Sequence, residues 1–137
     1  MPARAREISI STPRREVMVD ITAEVKSAVR DLGARDGLVL VFCPHTTAAI
    51  TLNENADPDV RADLSQHLSK LVPREAGFRH AEGNSDAHLK ASLVGFSCLV
   101  PLAGGSLVLG TWQGIYFWEF DGPRRRRVRV QVLESPD

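Results

Sequence analysis

Two strand-like runs meet at a tight turn near the end of the chain, and this pair constrains the fold more than any other feature. Trp112–Phe120 is followed by the turn residues Asp121-Gly122-Pro123 and then by Arg125–Leu133. In the second run Val128, Val130 and Val132 share one face while Arg127, Arg129 and Gln131 share the other, so one side is buried and one is open. In the first run Tyr116, Trp118 and Phe120 face one way and Phe117 the other. A strand with aromatic rings on both faces needs cover on both.

The remaining segments alternate between strands and helices. Arg6–Ile10 and Glu16–Val19 read as short strands around a turn at Pro13-Arg14-Arg15. Ile21, Val25, Ala28, Val29 and Leu32 follow helical spacing, with Asp20 or Thr22 as cap and Gly33 as stop. Gly37–Phe42 is a continuous apolar run too short for a helix, and Ala48–Leu52 is a further strand. Asp57 and Pro58 open a second helix through Val60, Leu64, Leu68 and Leu71, which Pro73 ends. Residues 73–87 are polar and aperiodic, a loop long enough to carry function. Ala87–Val94 predicts a short helix ended by Gly95, and Ser97–Leu102 and Leu107–Leu109 are strands around Ala103-Gly104-Gly105. Strands in antiparallel-looking clusters, with helices between them, predict one α+β domain over residues 1–137 rather than a doubly wound sheet.

Composition closes off several function classes. Seventeen basic and seventeen acidic residues cancel, so no global field draws the chain to nucleic acid or an anionic membrane. The two cysteines, Cys43 and Cys98, exclude a disulfide-rich scaffold and a four-thiolate zinc module. Both lie in apolar runs and read as reduced, buried thiols of a cytoplasmic protein. No stretch is long and apolar enough for a secretory signal or a membrane span. Phosphate-loop, dinucleotide and nucleophile-elbow motifs are missing. Arg124–Arg127 follows Glu119 and Asp121 with no second basic patch, and reads as a solvated or subunit-contacting strand edge rather than a nucleic-acid clamp.

Polar residues crowd at the ends of apolar elements in three places. His45-Thr46-Thr47 precedes one strand and Asn53-Glu54-Asn55-Ala56-Asp57 follows it. If the two neighbouring strands form a hairpin, these ends lie roughly 26–30 Å apart and meet only if the chain bends or a second subunit brings its own copy alongside. The segment from His80 to Lys90 holds two histidines, two carboxylates, an amide, a hydroxyl and a lysine around Gly83. A solvated polar loop is one reading of it. The other brings His80 and His88 together with His45 as three neutral imidazoles, the open tetrahedral arrangement of a catalytic zinc, with Glu82 and Asp86 orienting the rings. His67 sits mid-helix beside Leu68 and reads as a boundary residue. In Gly110-Thr111-Trp112-Gln113-Gly114, a bend either exposes Gln113 and Thr111 to a ligand or forms a bulge with Trp112 in the core.

Those blocks resemble the YjbQ family. The matching residues are His45 through Pro58, His80 with Glu82 through Leu93, Gly110 through Ile115, and Asp121 through Arg127, with Ser85 where a small residue is commoner. The resemblance implies an α+β fold of two antiparallel sheets packed like a sandwich, with two main helices, assembled as a homotrimer. The aromatic cover on both faces of Trp112–Phe120 agrees with burial through sheet surfaces. It implies a metal on His45, His80 and His88, a transition metal such as zinc or else magnesium. It also implies a thiamine-phosphate synthase activity, joining hydroxymethylpyrimidine diphosphate to a thiazole phosphate; the alternative is a trimeric protein that binds a metal or a phosphorylated metabolite without turnover. In the synthase reading Glu54, Asp57 and Gln113 serve catalysis by holding metal or substrate. Thr46, Thr47, Asn84, Ser85 and Lys90 hold a phosphorylated small molecule, beside the start of the short helix and not on the Arg124–Arg127 run.

Overall fold

The computed structural model describes residues 3–136. Period-two alternation becomes strand pairing where it was read. The elements are β1 (Ala3–Ser11), β2 (Val17–Asp20), α1 (Thr22–Leu32), β3 (Gly37–Phe42), β4 (Ala48–Glu54), α2 (Pro58–Leu71) and α3 (Ser85–Val94). After them come β5 (Ser97–Ala103), β6 (Ser106–Leu107), β7 (Gln113–Glu119) and β8 (Arg125–Glu134). They form a five-stranded sheet in the order β1-β8-β3-β5-β6 and a three-stranded sheet in the order β2-β7-β4, with antiparallel pairing throughout. The α+β sandwich expected from the sequence is the fold observed.

The faces sort by side chain. Val128, Val130 and Val132 of β8 meet Val39 and Val41 of β3, Ile115 and Phe117 of β7, and Val25, Ala28 and Val29 of α1 in one buried apolar core. The other face of β7 presents Tyr116, Trp118 and Phe120, packed with Ala87 and Ala91 of α3 and with Leu64 and Leu68 of α2. The order of layers is therefore helices α2 and α3, small sheet, large sheet, with α1 inserted at the sandwich core. Both aromatic faces of β7 are covered by this same chain, so they do not call for a partner's surface.

Two connections differ from the reading of the sequence. β3 and β4 are not a hairpin: β3 belongs to the large sheet and β4 to the small one, and residues 43–47 carry the chain across. α3 starts two residues earlier than its apolar pattern, at Ser85, and Asp86 in its first turn points inward where an orienting partner for a histidine ring was expected. Gly37 sits so close to β8 that a Cβ there would lie 2.0 Å from the Leu133 carbonyl oxygen, which only glycine avoids.

Candidate functional site

Strand β4 separates the polar blocks into two groups. Its register pairs Glu54 with Gln113 at one end and Ala48 with Glu119 at the other. Seven residues of strand place these ends about 20 Å apart. The motifs around residues 53–57 and 110–115 thus meet each other, and within one copy they stay away from the histidines.

At the first end the polar groups hold the backbone. Asp57 caps α2 by accepting the Asp59 N–H at 2.9 Å. Gln113 Oε1 accepts the Gly110 N–H at 2.8 Å, and the Asp20 carboxylate takes the Thr22 N–H and hydroxyl at 2.9 and 2.6 Å. Burial works against the charge of Asp20, yet the Thr22 and Asn55 hydrogen bonds hold its carboxyl below the usual range. Gly114 lies under the Asn55 side chain, where an added Cβ would sit 2.5 Å from Nδ2. Trp112 is 62% exposed and is not core. Asp57 and Gln113, expected to serve catalysis, are engaged as a helix cap and a loop brace; Glu54 is partly buried, with its carbonyl oxygen accepting the Tyr116 hydroxyl at 3.0 Å.

At the other end His45 sits where the chain leaves β3, and its Nε2 accepts the Arg127 N–H at 3.0 Å. Burial, then the Arg126 charge, pushes its pKa down, so the ring is held neutral. Below it Arg126 and Glu119 form a buried ion pair, closed by hydrogen bonds to Glu119 from Thr12 at 2.8 Å and from the Asp121 N–H at 3.1 Å. Arg126 also donates to Thr47 Oγ1 at 2.8 Å, so Thr47 is a buried brace rather than a ligand contact, while Thr46 is exposed. Burial raises the thiols of both Cys43 and Cys98 to about 11, which suits the inert, reduced state read from the sequence; Cys98 is only half-buried.

His80, on the exposed loop, and His88, on α3, stand with ring centroids 5.8 Å apart and planes at 89°. Phe78, Ser85 and Leu89 line the hollow beside the two rings. Glu82 reaches within 3.5 Å of His80 Nε2, the contact expected of an orienting carboxylate. Asp86 does not share that role. It is fully buried and held by Arg15 at 3.2 and 3.0 Å and by Lys90 at 3.0 Å. Burial opposes its charge, but those hydrogen bonds hold its carboxyl below the usual range. Lys90, expected to hold a phosphate, is 1% exposed with its ammonium between Asp86 and Glu16, so its charge is spent inside the protein. Asn84 donates to Asp121 at 3.0 Å, and Ser85 opens the helix. His67 lies exposed on α2, away from these groups.

Among the described residues no three His, Cys, Asp or Glu side chains gather to hold a metal within one copy. The sequence reading missed Arg15, Glu16, Ser69 and Glu119. The one available signal was the Asp86/Lys90 pair at i, i+4 on the same face as Ala87 and Ala91.

Comparison with known proteins puts this geometry in a family. A model described as UPF0047 protein YjbQ-like matches residues 6–135. The chain is 52% identical to the UPF0047 protein MJ1081 of Methanocaldococcus jannaschii over 90% of each chain. It is 48% identical to the UPF0047 protein YugU of Bacillus subtilis, over 93% of this chain and 98% of that one. A solved YjbQ/UPF0047 protein of Clostridium acetobutylicum superposes with a TM-score of 0.91 at 53% identity, covering 93% and 99%. A YbjQ-like protein of unknown function from Sulfolobus solfataricus gives 0.93 at 34% identity, covering 98% and 99%. The two solved relatives are described as uncharacterised or of unknown function and none of the four carries a synthase name, which overturns the thiamine-phosphate synthase expectation. The burial of Lys90 agrees, since it removes the cation assigned to a leaving diphosphate. Fold, motif order and relatives converge: the chain belongs to the YjbQ-like UPF0047 family.

Proposed function

We propose that this chain binds a divalent transition-metal ion through His80 and His88, with His45 of a second copy as third donor. The separation of the two rings carries the reading. Two imidazoles on one tetrahedral zinc hold their ring centroids roughly 5 Å apart, given metal–nitrogen bonds of about 2.0–2.1 Å. The 5.8 Å between His80 and His88 is a side-chain adjustment away from that. Nitrogen donors favour zinc or a neighbouring transition metal over magnesium, which takes oxygen ligands. Glu82 beside His80 supplies the carboxylate that fixes a ligating ring.

A second copy is supported by the outer face of the large sheet. Leu38, Phe42, Leu99 and Leu133 are 43%, 38%, 59% and 40% exposed. The register sets Leu38 between Pro101 and Leu133, and Leu40 between Leu99 and Gln131, so the apolar groups are contiguous. His45 borders this face, three residues beyond Phe42, and its ring is already neutral. Its Nε2 must exchange the Arg127 N–H for the metal. A homotrimer is the assembly this reading carries. The bound ion would supply an open position with Lewis-acid character.

Zinc titration with a competing chelator tests the reading. The wild type is expected to bind, with affinity falling at least about tenfold in His80→Ala and His88→Ala and unchanged in His67→Ala. Equal affinity in all four proteins, or no binding by any, would overturn it.

A further inference from the structure

Residues 73–83 are exposed throughout, and among the described residues no side-chain hydrogen bond ties them to another element. Yet this segment carries His80. Its two flanks are tied instead to one polar knot. On the near flank, the Ser69 hydroxyl of α2 donates to Glu16 Oε2 at 2.6 Å. On the far flank, Lys90 of α3 donates to Glu16 Oε1 at 2.5 Å and to Asp86 at 3.0 Å. Arg15, beside Glu16 in the turn between β1 and β2, grips both Asp86 oxygens.

Burying such a group is a poor way to dock a helix. Charged pairs taken out of water gain little over apolar side chains of the same volume. The rest of the inward face of α3 is Ala87 and Ala91, and two more apolar residues would finish it. What charged hydrogen bonds add is direction, because their geometry tolerates only small displacements. The fork of Arg15 on Asp86 fixes the rotation of α3 about its axis, and that rotation decides where His88 points. The shared Glu16 fixes the span between α2 and α3 that the His80 loop must cross.

We propose that Arg15, Glu16, Asp86 and Lys90 are positioning residues that hold His80 and His88 at chelating separation. The purpose of this knot rests on the metal reading, but the positioning has its own readout. Nuclear Overhauser contacts between the two imidazoles report it without metal, and cobalt(II) absorption reports the assembled site. Lys90→Met restores apolar packing without the charge, and Ser69→Ala removes a single hydroxyl.

In wild type the ring–ring contact is present. In folded Lys90→Met it weakens, and cobalt affinity falls about tenfold or more, with a smaller loss of the same sign in Ser69→Ala. If both variants fold and keep the wild-type ring contact and cobalt spectrum, the knot is packing alone and the inference fails. If Lys90→Met does not fold, Ser69→Ala decides. If the ring contact is lost as expected but no protein binds cobalt or zinc, the positioning stands and the metal reading falls.

Discussion

The sandwich core and the layer beneath α3 are both buried, but the first is closed mainly by apolar contact and the second adds a cluster of paired charges to its apolar surface. Between the sheets, Val39, Val130, Phe117 and their neighbours pack as apolar surface, and charge enters only at one end, where Arg126 pairs with Glu119. Beneath α3, Ala87 and Ala91 leave the remaining space to Asp86 and Lys90, fully buried and paired with Arg15 and Glu16. Apolar contact is non-directional and fixes that a layer forms; hydrogen-bonded charge is directional and fixes how the helix is turned. The directional layer is the one next to the histidines.

The difference can be broken from either side. Phe117→Ala removes a fully buried ring from the sandwich and should cost about 3–5 kcal/mol. No titrating group is involved, so urea unfolding should give a similar cost at pH 5 and pH 7. Asp86→Asn leaves volume alone and removes charge, and about 1–3 kcal/mol should be lost at pH 7. Its pH dependence is the sharper test. The folded carboxyl lies below its usual range, so its contribution is complete above about pH 3.9 and is lost as pH falls through the lower folded value. The gap between wild type and Asp86→Asn should therefore narrow in acid. A gap that stays constant down to pH 2 would mean that Asp86 acts by shape, and the contrast between the layers would collapse.

The same contrast explains what was legible in the sequence. Strands and the sandwich core follow from alternation within a few residues, and Val128, Val130 and Val132 announced their face directly. The caps of α2 and the stop at Gly33 were equally local. The crossing of β3 and β4 into different sheets was not, because nothing in residues 43–47 says which strand each will pair with. Lys90 looked like an anion ligand because its partner Glu16, and the Arg15 that shares Asp86 with it, lie more than seventy positions away in sequence. The aromatic faces of β7 were read as calling for another subunit, whereas α2 and α3 return to cover one of them. His80 and His88 stand side by side, and the signals for that, Gly83 and the start of a helix, are local, whereas His45 does not join them within one copy.

The claim that joins these threads is that each metal site draws His80 and His88 from one copy and His45 from another. Mixing tests it most directly. His45→Ala and His88→Ala proteins are each titrated with zinc, then unfolded together, refolded as mixed oligomers and titrated again. Each variant alone should bind weakly, and the mixture should recover wild-type affinity at a fraction of its sites, where an intact His45 meets an intact His80–His88 pair. Full affinity in His45→Ala alone, or a mixture no better than its components, would contradict the account.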